Sequence, residues 1–379
     1  MEKISAIRGF VAMLIAFLWL LPSVGNADPH KLTCGKEKTI GEALHELKPG
    51  DTLLVSGVCN ENLVIPEEVH RITLDGQGTA VIDGPDATRA TIEVRGTGIT
   101  IKRFTISRGR DGIRTFEGGT AIIDSNTIQN TANNGINVSR HSSAHIINNM
   151  VRNNPGGITV ANHSQARIGF SEVHEARIPD PNTIQNNDDG ITVSRSSHVD
   201  IAFNTISNNA SRGITVSLGA VARMGGLSDT GPSGNTISGN GSDGIRVSDS
   251  SQAQIAGNTI SNNTGRGISV TASSSGSIFA DIGPTPNTIQ GNGSDGIRVN
   301  RASQASISGN TINSNGGDGI RVEENSGVNL DAANTTAVNN GGRGLRCLIG
   351  AYARGSLGTL TGNSGQTSFD ATCINATSP

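Results

Sequence analysis

The chain has 379 residues, of which 50 are Gly and 3 % are aromatic; its one Trp, Trp19, lies in the first 27 positions, so a ring-stacked core and a Trp/Tyr sugar platform are both excluded. The formal charge is -3. Losing Glu2, Lys3 and Arg8 with an N-terminal signal removes a net +1 and leaves -4, which gives no reason to expect nucleic acid or an anionic membrane as a partner.

Residues 1–27 have the pattern of a secretory signal. Lys3 and Arg8 form a basic start, and Phe10 to Leu21 is an apolar run too short to span a bilayer. Gly25 and Ala27 supply small residues before a cut at Ala27–Asp28. No later segment is apolar enough to cross a membrane, so the mature protein is expected to be soluble and secreted or periplasmic. Export permits disulfides. The four cysteines allow three pairings. The sequence-local one, Cys34 with Cys59 and Cys347 with Cys373, is favoured because each pair sits at one end of a periodic region. Each bridge would contribute ~3 kcal/mol. Zinc is disfavoured, because no C-x-x-C spacing is present.

Thr39 to Lys48 has a capping-box start (Thr39, Glu42) and an apolar stripe of Ile40, Ala43, Leu44 and Leu47, which predicts a short capping helix over about 40–48. Pro49-Gly50 ends it. Asp51 to Ile106 carries strand-like runs and reads as about two irregular coils. Residues 28–103 are thus expected to form an N-terminal cap with its first coils, 104–346 a regular repeat, and 347–379 a C-terminal cap and tail.

The repeat is explicit. Gly followed by an aliphatic residue recurs at 112, 135, 157, 190, 213, 244, 267, 296, 319 and 344, with spacings of 23, 22, 33, 23, 31, 23, 29, 23 and 25. Each unit holds three strand patterns: Gly-Ile-x-Val (Gly244 to Val247), Ala-x-Ile (Ala253 to Ile255) and Asn-Thr-Ile (Asn258 to Ile260). Apolar and polar residues alternate within them, as in half-buried strands. Three short strands per turn, stacked at ~4.8 Å, make a parallel β-helix of about twelve coils. Expected inward columns run through Ile136, Ile158 and Ile191, through Ala144, Ala166 and Val199, and through Ile128, Val151 and Ile184. An Asn column precedes the third strand, from Asn126 through Asn149, Asn182, Asn204, Asn235, Asn258, Asn287 and Asn310 to Asn334. A second column is expected at Asn130, Asn186, Asn208, Asn262, Asn292 and Asn315. Stacked Asn side chains can both donate and accept along such a column. Extra residues at Gly169–Pro181, Gly225–Gly234 and Phe279–Pro286 fall in every second coil, so they should form a row along one edge.

These repeats, with the cap from Thr39 to Ile65, resemble the pectate-lyase-like family of right-handed parallel β-helix proteins. The resemblance covers about 34–373. It implies an all-β, right-handed solenoid and an association with acidic polysaccharide, in a lyase, an epimerase or a glycoside hydrolase if the protein is catalytic. The family's local motifs do not transfer. Asp188-Asp189 resembles the Asp pair of polygalacturonase-like enzymes, but Gly-His-Gly and Arg-Ile-Lys are absent. The only Asp-Pro-His is Asp28-Pro29-His30, off the coils. Every Lys lies at or before Lys102, so no Lys serves the regular coils.

Chemistry must then sit in outward columns. The residue between Ile and Val becomes Arg at Arg298, Arg321 and Arg346 in successive coils. Like charges ~5 Å apart need anions nearby, either Glu323 and Glu324 or a bound polyuronate. These Arg, with Glu323, are the expected substrate contacts. The residue before the repeated Gly alternates in charge except at Asp295 and Asp318, two carboxylates one coil apart that suit an acid/base pair. His141 and His163 share one position in adjacent coils. With His174 they form a candidate site for a divalent metal, with calcium the cation to test as cofactor. The functional expectation is an exported, monomeric protein that binds or processes an acidic polysaccharide. The alternative is a non-catalytic structural or adhesive scaffold. Ice binding would need an unbroken Thr ladder, which Arg246 interrupts after Thr159, Thr192 and Thr215.

Overall fold

The computed structural model describes residues 29–36, 38–173, 176–228, 231–279, 286–330 and 335–378. The expected signal at 1–27 lies outside them. The chain winds as a three-sided parallel solenoid with sheets of 15, 13 and 12 strands. That exceeds about twelve coils because His30–Thr33 adds a rung before the first coil and Gly365–Phe369 and Ile374–Ser378 add rungs after the last. The Ala-x-Ile strands form the 15-stranded sheet, the Gly-Ile-x-Val strands the 13-stranded one and the Asn-Thr-Ile strands the 12-stranded one. Pairing is in register along each column, as in Ile245↔Ile268, Ala253↔Gly276 and Ile260↔Ile289. The expected columns point inward: Ile136, Ile158, Ile245 and Ile297 are fully buried, and Ala144 and Ala253 nearly so.

The solenoid interior leaves backbone groups at the corners without strand partners, and side chains satisfy them. At the corner before the third strand, Asn149 N–H donates to Asn182 Oδ1, Asn182 N–H to Asn204 Oδ1 and Asn204 N–H to Asn235 Oδ1, at 2.9–3.1 Å. Asn334 lies outside the described residues, and Asn310 N–H turns to Thr335 Oγ1. The second column needs a correction. The buried ladder is Asn154, Asn187, Asn209, Asn240, Asn263, Asn292, Asn315 and Asn340. Asn130, Asn186, Asn208 and Asn262 sit one residue earlier, at positive φ of 54–57°. There the short polar side chain eases a left-handed turn instead of bridging coils. A third corner carries Ser, with Ser142 N–H donating to Ser164 Oγ, and likewise Ser251 to Ser274 and Ser303 to Ser326.

The repeated Gly marks a close backbone approach. A Cβ on Gly213 would lie 2.6 Å from both Gly244 O and Ile237 Cγ2. Gly213→Ala should therefore overpack the corner and cost about 1–3 kcal/mol, read as a lower urea midpoint. An unchanged midpoint would show that the corner yields.

The N-terminal end is covered by a helix, α1, over Ile40–Leu44. It is shorter than the expected 40–48. Its capping box is formed, with Thr39 Oγ1 accepting from Glu42 N–H and Thr39 N–H donating to Glu42 Oε2. Glu61 also accepts from the Ile40 and Gly41 amides. Leu47 still packs on the core, although His45 ends the helix. Disulfides join Cys34 to Cys59 and Cys347 to Cys373. Cys347 occupies the inward column opposite Val322, so its bridge ties the tail to the last full coil.

Candidate functional site: two outward faces

The Gly-Ile-x-Val face carries the residues that the sequence singles out. Arg298, Arg321 and Arg346 are neighbours in one column. Glu323, with its side chain 2 % exposed, forms ion pairs with both Arg298 and Arg321. Burial alone would raise the Glu323 pKa, but hydrogen bonds from Arg321 and Arg298 outweigh it and hold the carboxyl below its ordinary range. Glu324 instead lies 3.8 Å from exposed Arg301. Asp295 and Asp318 are also one rung apart, and each supports the next coil: Asp295 Oδ1 accepts from Asp318 N–H at 2.9 Å and Asp318 Oδ1 from Arg343 N–H at 2.7 Å. Burial, with the Asp318 charge adding to it, pushes the Asp295 carboxyl above its ordinary range against that amide bond. This is the direction a general acid needs. Asp295 and Asp318 are only 4 % and 3 % exposed, however, so their oxygens face protein. Asp189 Oδ1, in the same column, is buried without a hydrogen-bond partner.

His141 and His163 stack with ring centroids 5.3 Å apart. They occupy a corner with positive φ. His174 lies outside the described residues. Among the described residues, no group of three or more His, Cys, Asp or Glu side chains is set to hold a metal ion.

The Ala-x-Ile face was not singled out by sequence, and it holds two adjoining depressions. Hollows of about 460 and 360 Å³ share His198, Val199 and Asp200 and so form one trough across the strands. Along its floor Ile122, His145, Arg167, Asp200, Arg223 and Gln254 are consecutive neighbours in register. Beside them run Gln165, His198, Val221 and Gln252. The signal available in the sequence was the middle residue of this strand pattern, with Val199 and Met224 as variants of its Ala and Ile, which reads His, Arg, Asp, Arg in successive coils.

The first insert contacts floor residues of this trough. Gly169 turns at φ +95°, where a Cβ would meet Ala202 O at 2.0 Å. Phe170–Val173 and Ala176–Pro179 then pair as an antiparallel hairpin. Phe170 is fully buried and anchors it, with the Arg177 guanidinium 4.5 Å and the Arg167 guanidinium 5.4 Å from the ring centroid. Arg167 pairs with Glu172 at 2.7 Å. Asp200 lies 3.9 Å from Arg177 and 3.8 Å from Arg223. His145 Nε2 is 2.6 Å from Phe170 O. A carbonyl only accepts, so Nε2 carries the proton and neutral His145 keeps its lone pair on Nδ1. A second hairpin, Leu227–Ser228 with Gly231–Pro232, follows two coils later on the same edge. The third insert lies mostly outside the described residues. Trough side chains reach solvent: Asp200 is 39 % and Arg223 53 % exposed.

A parallel three-sheet solenoid with Asn-lined corners defines a right-handed β-helix protein. The family profile described as "Right handed beta helix region" matches residues 64–178, 90–226, 182–285 and 233–353, and the chain belongs to that family. Among solved structures it is similar to the Azotobacter vinelandii mannuronan C-5 epimerase AlgE4 A-module, with 14 % identity, 89 % of this chain and 94 % of that chain covered, and a TM-score of 0.53. The A-module of the same organism's AlgE6 epimerase is 15 % identical over 89 % and 93 % of the two chains, with a TM-score of 0.48. The periplasmic alginate epimerase AlgG is 14 % identical over 92 % and 84 %, at 0.43. At such identity the likeness is one of fold. No curated protein sequence matches the chain. No helix among the described residues is long and apolar enough to cross a membrane.

Proposed function

We propose that this protein is exported and binds an acidic polysaccharide along the trough of the Ala-x-Ile face, with Arg167 and Arg223 meeting uronate carboxylates. The observation that carries this reading is the open trough itself. It runs along the stacking axis, its charged and amide side chains are accessible, and a hairpin pairs with its Arg167 and Asp200. Arg forks suit carboxylates, and Gln165, Gln252 and Gln254 suit sugar hydroxyls. His145, with its proton fixed on Nε2, supplies a base at Nδ1 for proton abstraction next to a uronate carboxylate, the step shared by lyases and epimerases. The exposed Asp200 lies between Arg177 and Arg223 and orients them. In this reading the Arg298–Arg321–Arg346 column, in which Glu323 pairs with Arg298 and Arg321 and Asp318 lies 3.8 Å from Arg346, is a secondary contact, and Asp295 with Asp318 is a reserve acid pair.

A second reading, a non-catalytic scaffold, is favoured by one observation: the buried carboxylates Asp295 and Asp318 each commit Oδ1 to a backbone amide of the next coil.

Affinity electrophoresis on pectate, alginate and sulfated glycans at low salt separates the outcomes. The trough reading expects retention that weakens with salt and falls at least about tenfold in Arg223→Ala, the loss of one charge-assisted contact. No retention on any acidic glycan would overturn it. New absorbance at 235 nm in the wild type, lost in His145→Ala, would identify a lyase and remove the scaffold reading.

A further inference from the structure

Near the N-terminal end of the Gly-Ile-x-Val face, a hollow of about 230 Å³ is lined by Arg89, Arg95, Arg110 and Arg114, with Glu93 as its one acidic lining residue. That is four positive charges against one negative. Glu93 is already engaged: Oε1 accepts from Arg95 Nε at 2.7 Å, and Oε2 lies 3.4 Å from Arg114 Nη1. Two more carboxylates stand close by, and both are occupied. Glu117 pairs with Arg95 and Arg140, and Asp111 Oδ1 accepts from the Asn133 and Asn134 side chains. Asp86 also acts on Arg89 and Glu67 on Arg95; with Arg140, Glu117 and Asp111 counted, the neighbourhood has five positive and five negative groups, so the excess of positive charge is confined to the lining of the hollow itself.

Arg89 and Arg110 form no ion pair among the described residues. Arg114 is held flat, its guanidinium 3.5 Å from the centroid of the buried Phe116 ring. Its Nε is buried without a hydrogen-bond partner. Burial lowers its proton affinity from the usual arginine value, with Arg110 and Arg140 adding to that against Glu93 and Asp111. Uncompensated like charges of this kind are costly without an anion. Rigid guanidinium forks on a fixed aromatic support are preorganised for oxygens in a plane or a tetrahedron.

We propose that this hollow is an oxyanion-binding pocket, taking a sulfate, phosphate or carboxylate group that is either free or borne on a sugar. Arg89 and Arg110 supply the unpaired charge, and Arg114 and Arg95 frame it. The pocket lies on a different side of the solenoid from the trough and does not depend on the trough reading.

The test is isothermal titration of the full chain at low ionic strength with potassium sulfate, potassium phosphate and a uronate trisaccharide, each against potassium chloride of equal ionic strength. Saturable binding of at least one is expected, weakened at least about tenfold in Arg89→Ala/Arg110→Ala and unchanged in Arg301→Ala, an exposed guanidinium outside both the hollow and the trough. Both substituted residues of the pocket variant are exposed, and circular dichroism should show it folded. Comparable affinity for inorganic anions supports a free ion as ligand, and much tighter trisaccharide binding supports a glycan-borne group. The pocket is refuted if none of the three binds above the chloride control, if the double variant binds as well as the wild type, or if Arg223→Ala alone abolishes binding, which would place the anion in the trough.

Discussion

Asn204→Ala should destabilise the solenoid by about 4 kcal/mol, more than most single substitutions do. The Asn204 side chain is fully buried and works in both directions. Its Oδ1 accepts from Asn182 N–H and Nδ2 at 3.1 and 2.9 Å. Its Nδ2 donates to Ile168 O at 2.9 Å, Ala202 O at 2.7 Å and Asn235 Oδ1 at 3.1 Å. Truncation leaves at least two donors and two carbonyls buried, each costing roughly 1–3 kcal/mol before relaxation. A water in the vacated space would recover part of that. Coils interact only with their neighbours, so the loss should begin locally and spread along the stack. Thr205→Ala is the control. Thr205 is the next residue and is exposed, and its loss should stay within about 0.5 kcal/mol. Urea midpoints of the two variants decide the matter. If they coincide, the Asn column does not carry the stability assigned to it.

Glu323→Gln should cost about 3 kcal/mol at neutral pH and much less in acid. Glu323 is 2 % exposed and faces Arg298 and Arg321, which are 20 % and 28 % exposed. Breaking a buried pair costs roughly 3–5 kcal/mol because the remaining charge loses its partner. The lower end applies here, since both guanidinium groups keep some water. The pH dependence has a definite sign. The folded carboxyl titrates below its unfolded value of 4.5. Its contribution is therefore complete above that value and is lost as pH falls through the lower folded pKa. Stability of wild type and variant, measured from pH 7 to pH 3, should converge in acid. A gap that persists unchanged at pH 3, or none at pH 7, would show that the carboxylate is not the source.

The spacing of the repeated Gly-Ile, Ala-x-Ile and Asn-Thr-Ile segments made the columns legible before any coordinates, because residues one coil apart must become rung neighbours. Arg298 beside Arg321 and Asp295 beside Asp318 follow from that rule alone. In the second Asn column Asn292 and Asn315 stand in the buried ladder, while Asn130, Asn186, Asn208 and Asn262 fall one residue before it for a physical reason. Asn186 and Asn187 are adjacent, as are Asn208 and Asn209, and both members recur with the same period. Only the backbone dihedrals distinguish the left-handed turn residue from the bridging one. The column Ile122, His145, Arg167, Asp200, Arg223 was present in the sequence but chemically uneven, so it did not stand out. The hollow among Arg89, Arg95, Arg110 and Arg114 was less visible still, because its residues come from the irregular coils, where no period relates them.

The sequence by itself therefore determined the winding, the buried columns and the pairing of outward neighbours, since these depend on a repeat length and on alternation across a strand. It also marked which carboxylates and guanidinium groups would be forced together. Only the tertiary structure decided which of those groups remain available to a ligand. Glu323 pairs with Arg298 and Arg321, and backbone amides of the next coil take one oxygen each of Asp295 and Asp318. The hairpin at Phe170–Pro179 folds back onto Arg167, Asp200 and His145 of the trough floor. Those outcomes depend on how side chains and inserts fold back on neighbouring coils, a matter of distance and burial that a one-dimensional period does not contain.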